Sequence, residues 1–98
     1  MSSAPSHALD FSIHGPITRA DLPGLCDRVC ALLSTHAPST ARCDVGGVEP
    51  SAVTVDALAR LQLAARRYRC QVRLVNASRD LVDLVAFMGL EDVLAEEP

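Results

Sequence analysis

Apolar and polar residues alternate from Leu9 to His14, with Leu9, Phe11 and Ile13 on one side and Asp10, Ser12 and His14 on the other. A repeat of two is the period of a strand with one face buried and one wet. Gly15-Pro16 stops it. Beyond that turn Leu22, Leu25, Cys26, Val29, Leu32 and Leu33 recur at helical spacing, which predicts a helix over 19–34. Thr18 and Asp21 are placed to cap its start, and Pro23 is close enough to the start to remove only an unpaired amide. After a polar loop containing Pro38, the residues Ala41, Cys43 and Val45 alternate with Arg42 and Asp44, a second strand that Gly46-Gly47 is expected to end. Val55, Leu58, Leu61, Ala65 and Tyr68 then predict a helix over 53–68, with Asp56 and Arg60 as an i, i+4 pair on another face. Cys70, Val72 and Leu74 mark a third strand, and Asn76-Ala77-Ser78 a turn. Leu81, Leu84, Val85 and Met88 mark a further helix, capped by Ser78 and stopped at Gly89. Leu90 to Leu94 would fold a last turn over the core.

Strands alternating with helices build a largely parallel sheet by right-handed crossovers. A parallel sheet wrapped on both sides has strands apolar throughout, whereas all three strands here alternate. One face should therefore carry the helices while the other is wet, with Asp10, His14, Arg42, Asp44, Gln71 and Arg73 as cross-strand neighbours. No internal repeat or low-complexity segment is present.

Length and charge narrow the function. The 98 residues suit one domain, and the 49% apolar share can fill a small core. A net charge of −3, from 9 Arg without Lys against 12 acidic residues, argues against nucleic-acid binding, which relies on cations neutralising phosphates. No apolar run reaches a membrane span and no secretory leader opens the chain, so a cytoplasmic protein without direct membrane insertion is expected. Residues 1–7 are expected to fray, and 96–98 to form an acidic tail.

Chemistry is sparse. Cys26, Cys30, Cys43 and Cys70 include no CxxC pair and read as reduced thiols in the core, so no metal is expected; Cys26 and Cys30 also suggest a thiol sensor. His7, His14 and His36 are not spaced for a catalytic triad, and Gly46-Gly47 is followed by no phosphate-binding signature. Asp80 and Asp83 lack a companion motif for acid-base work. Neither an enzyme nor a cofactor is expected.

The second half is more specific. The run Cys43-Asp44-Val45-Gly46-Gly47-Val48, the helix from Asp56 to Arg67, the strand exit Arg73-Leu74-Val75-Asn76-Ala77-Ser78 and the ending Gly89-Leu90-Glu91-Asp92-Val93-Leu94 resemble a STAS domain, the anti-sigma-factor antagonist module. The resemblance covers 41–94 clearly and is compatible over 8–34. It implies a STAS domain over 8–95, of the compact subgroup that lacks the opening strand of an N-terminal hairpin. The fold class it implies is α/β: a single mostly parallel or mixed sheet of about four strands, with helices packed mainly on one face.

It also implies partner switching, in which such a module binds an anti-sigma factor or serine kinase and phosphorylation reverses the docking. The family's modified serine lies at the start of the second helix, where this chain has Ala52, with Ser51 and Thr54 as the nearest hydroxyls and hence the phosphorylation candidates. Both also read as helix-capping residues. The expected partner surface comprises Gly15, Val48, Ser51, Val53, Thr54, Val55, Asp56, Arg60, Asn76 and Ser78, since turns after parallel strands gather at one sheet edge. The alternative implied by the same family is an accessory subunit regulating the ATPase of a lipid-exporting ABC transporter.

Overall fold

A computed structural model describes residues 8–37 and 39–96. The expectations for residues 1–7 and for Glu97 and Pro98 fall outside it. Strand β1 (Ala8–Gly15) leads through a 3-10 turn (Arg19–Asp21) into α1 (Leu22–His36). Next come β2 (Thr40–Val48), α2 (Ala52–Arg66), β3 (Gln71–Val75), α3 (Arg79–Phe87) and a two-residue β4 (Ala95–Glu96). The sheet order is β1-β2-β3-β4 and every neighbouring pair is parallel. Strands added in chain order through crossovers of one hand place every crossover helix on the same face, which is why the sheet is covered on one side.

Burial follows that plan. In register across the sheet, Leu9 pairs with Ala41 and Ala41 with Val72, while Phe11 pairs with Cys43 and Cys43 with Leu74. These residues face the helices, with Ala41, Cys43, Val72 and Leu74 buried in one core with Leu33, Val55, Leu58, Leu61 and Leu81. The intervening row Asp10, Arg42 and Arg73 lies on the open face. There Arg42 Nε and Nη2 donate to the two carboxylate oxygens of Asp10 at 2.8 and 3.0 Å.

Several element boundaries differ from the sequence reading for identifiable reasons. The first helix does not run unbroken from Arg19: Pro23 has no N–H to bond the Arg19 carbonyl, and that oxygen instead accepts the tighter 3-10 bond from Leu22. Thr18 and Asp21 do form the expected cap, with Thr18 N–H and Oγ1 donating to Asp21 Oδ2 at 2.9 and 3.0 Å. Strand β2 is not ended by Gly46-Gly47 but runs through both to Val48. The register shifts there, from Ser12 opposite Asp44 to His14 opposite Gly47, so β2 spends one extra residue in a bulge. Helix α2 ends at Arg66, leaving Tyr68 beyond it and exposed.

The tail reading also changes at its first residue. Glu96 pairs with Leu74 in β4. What brings the chain there is Gln62, a polar residue 5% exposed that the apolar pattern passes over. Its Nε2 donates to the carbonyls of Val72 (3.1 Å) and Val93 (3.0 Å), and its Oε1 accepts from Val72 N–H at 2.9 Å. One buried amide thus ties α2, β3 and the C-terminal turn together, with all its partners satisfied.

Candidate functional site

Because all the strands are parallel, the β1–α1, β2–α2 and β3–α3 connections leave the sheet at one edge. Here polar side chains tie neighbouring strands together. Asp44, at the exit of β2, accepts from Gly46 N–H at 2.9 Å and from Asn76 Nδ2 at 3.1 Å. These two bonds, aided by the nearby His14, hold the Asp44 carboxyl below its ordinary value. Asn76 takes the left-handed conformation (φ +60°), as does Gly15 at the end of β1 (φ +73°). Gly15 pairs with Val48, so the two strand exits meet side by side.

Gly47 is where side-chain size decides the geometry. A Cβ there would stand 2.7 Å from His14 Cδ2, so the imidazole can lie over the β2 backbone only while position 47 has no side chain. His14 is therefore seated on the rim by Gly47, a role that its alternating position in β1 does not reveal.

The β2–α2 turn is held from below. Thr54 Oγ1 donates to the Glu49 carbonyl at 2.8 Å and accepts from Ser51 Oγ at 3.1 Å, while Ser51 Oγ accepts from Thr54 N–H at 3.1 Å. Ser51 is thereby the N-cap of α2. Two expected contact residues prove to be interior ones: Thr54 and Val55 are each 0% exposed, because the phase set by the Ser51 cap turns both toward the core. They cannot offer side chains to a docking protein, and Thr54 cannot be modified without opening the turn. Facing outward instead are Ala52 and Arg60, with Val48, Ser51, Val53 and Asp56 half-buried. Arg60 Nε donates to Asp56 Oδ2 at 3.0 Å, the expected i, i+4 pair. Asn76 and Ser78 are exposed, and Ser78 caps α3 by accepting from Leu81 N–H at 3.1 Å. Gly15, Val48 and Asn76 are thus brought into one rim with His14, Asp44 and Gly47, and the α2 start continues it.

Among the described residues, no cluster of three His, Cys, Asp or Glu is arranged to hold a metal ion. Concave sites include a hollow of about 190 Å³ between α3 and the C-terminal turn and a groove of about 280 Å³ between β1 and α1 that reaches the rim at His14 and Pro16. Three of the thiols are poorly suited to sensing: burial pushes Cys43 up to about 12, and burial is also the main cause raising Cys26, one of the two sensor candidates, and Cys70.

No protein-family model matches the sequence, and no curated protein matches it. Solved structures do share its architecture. A sulfate transporter family protein from Wolinella succinogenes superposes with a TM-score of 0.69 at 20% identity, over 96% of this chain and 76% of that one. The anti-sigma factor antagonist SpoIIAA in its unphosphorylated form superposes with a TM-score of 0.63 at 13% identity, over 99% of this chain and 85% of that one. The chain has the STAS fold. Both of these structures, one of a sulfate transporter family protein and one of an anti-sigma factor antagonist, share that fold. No described helix of the chain is long and apolar enough to cross a membrane.

Proposed function

We propose that this STAS domain is a non-catalytic protein-binding module, acting like an anti-sigma factor antagonist that docks an anti-sigma factor or serine kinase in partner switching. The observation that carries this reading is the rim itself. Three strand exits are cross-tied by His14, Asp44, Gly47 and Asn76, and beside them the first turn of α2 exposes Ala52, with Val53 and the last residue of β2, Val48, half-buried. An apolar centre bordered by Asp56, Arg60, Asn76 and Ser78 has the anatomy of a docking patch. The likeness to SpoIIAA in fold is consistent with this use.

Of the two phosphorylation candidates, Ser51 is the one this reading retains. Its hydroxyl is half-buried and engaged as a cap, so a phosphate there would replace the cap with a dianion at the positive end of α2 and alter the patch. The test is titration of a cognate kinase-type anti-sigma factor with the wild-type chain and Ala52→Arg. The variant alters an exposed first-turn position, so binding should fall at least about tenfold, or about 1.4 kcal/mol, with an unchanged melting temperature. Unaltered binding would remove the rim from the account.

The likeness to the sulfate transporter family protein supports a second reading, a regulatory subunit of a transporter, such as one acting on the ATPase of an ABC exporter. Purification from native membranes separates the two. Retention with a permease and ATPase favours the second reading, and retention with a kinase-type regulator the first.

A further inference from the structure

The large apolar side chains left exposed among the described residues all lie away from the rim. Phe87 is 88% exposed, Leu63 57%, Tyr68 38% and Met88 37%. Each belongs to the last turn of α2 or α3 or to the residues just after it. Crossover helices run antiparallel to the strands they connect, so these helix ends gather where the strands begin, at the end of the molecule opposite the rim. Apolar side chains gathered in one place, unlike single ones scattered over a surface, mark an interaction site.

Charge is arranged on either side of Phe87. On the α2 side stand Arg66, Arg67 and Arg69, all exposed, and on the other side, where the turn after α3 leads into β4, stand the exposed Glu91 and Asp92. Glu91 lines the hollow beside α3 together with Val82, Ala86 and Leu94, the last residue before β4. Among the described residues, none of these five charges forms an ion pair. A basic last turn complements the dipole of α2, which accounts for Arg66. It does not account for Arg69, which lies beyond the helix in the left-handed region (φ +56°), where glycine is the low-energy choice.

From this order of basic, apolar and acidic groups we infer that two copies of the chain associate end to end, about a twofold axis that passes beside Phe87 perpendicular to the sheet. A twofold joins one patch to itself, so the patch has to be self-complementary. This axis exchanges the two flanks: Arg66, Arg67 and Arg69 of each copy meet Glu91 and Asp92 of the other, twice, while the two Phe87 rings meet at the centre. A uniformly anionic partner would be repelled by Glu91 and Asp92, and a uniformly cationic one by the arginines. A second copy carries both signs in the matching order. The described chain begins at the far margin of the sheet, in β1, and at Glu96 it heads toward the rim end. The two rims point to opposite ends of such a dimer, so the proposed docking surface of each copy stays accessible.

Charge exchange tests the inference on residues whose exposure spares the monomer. Sedimentation of the full chain over a range of concentrations should show a monomer–dimer equilibrium, weakened about tenfold or more by Phe87→Ser. One variant carries Glu91→Arg and Asp92→Arg, so that both flanks are basic, and a second carries Arg66→Glu and Arg69→Glu, so that both are largely acidic. Each alone should dimerise at least about tenfold more weakly than the wild-type chain, because like charges then oppose one another. Mixed in equal amounts, the two should form a heterodimer, and Phe87→Ser introduced into both should weaken it. A wild-type chain that stays monomeric at high micromolar concentration overturns the inference. So does a dimer indifferent to Phe87→Ser, or a pair of reversed variants that do not associate on mixing.

Discussion

Cys43 and Asp44 are adjacent on β2 and live in different media. Cys43 faces the helices at 0% exposure, and burial drives its thiol up to about 12 from 9.0. Asp44 faces the open side, and its bonds from Gly46 N–H and Asn76 hold its carboxyl below 3.8. One face of this sheet suppresses charge and the other uses it. The difference teaches where the molecule keeps its stability and where the proposed docking would take place: the helix face is close-packed, while the open face is polar and cross-tied at the strand exits.

The largest effects should come from the helix face. Leu58→Ala empties a buried side chain in the middle of α2 and should cost about 2 to 5 kcal/mol in urea unfolding. Gln62→Ala leaves Val72 N–H and the Val72 and Val93 carbonyls short of a buried partner; a loss of about 2 to 3 kcal/mol is expected, with faster hydrogen exchange at Val72. A loss below about 0.5 kcal/mol for either would mean that the two faces do not divide the work in this way.

The adjacent pair also predicts opposite limbs of a pH profile. A thiol raised from 9.0 to about 12 contributes fully below pH 9.0, and its contribution is lost as pH rises toward 12. Asp44, whose value is lowered, contributes above 3.8 and loses its share as pH falls through the folded-state value. Urea midpoints measured across pH should fall at both ends. Cys43→Ala should flatten the alkaline limb without abolishing it, since Cys26 and Cys70 are raised too, and Asp44→Asn should flatten the acid limb in the same way, since Asp10 and Asp21 are also held low.

The smallest effect on stability should accompany a clear effect on binding. Gly47→Ala forces the exposed His14 ring off the β2 backbone, a displacement a surface side chain can make for less than about 1 kcal/mol. Affinity for the docking partner should nevertheless drop, because the rim loses its shape. A large fall in melting temperature without loss of affinity would reverse the assignment of roles.

The alternation of Leu9, Phe11 and Ile13, of Ala41, Cys43 and Val45, and of Val72 and Leu74 was enough to read the one-sided parallel sheet from the sequence. The rim was only partly legible. Gly46-Gly47 reads as a strand breaker because local propensity does not include the His14 ring from another strand, which is what favours glycine at position 47. Gln62 is invisible to an apolar pattern because its partners lie in β3 and beyond α3. β4 is two residues long, too short to show any period. Val55 carried a sufficient signal, since its place in the apolar stripe of α2 already marked it as interior and unsuited to a contact surface.

Hydrogen exchange of the chain, alone and bound to the partner with which it co-purifies, tests the central claim most directly. The account predicts new protection concentrated in residues 14–18, 46–56 and 76–78, the three strand exits and the start of α2. Protection concentrated instead on α3 or on the Asp10–Arg42 region of the open face, with the strand exits exchanging as in the free protein, would contradict it.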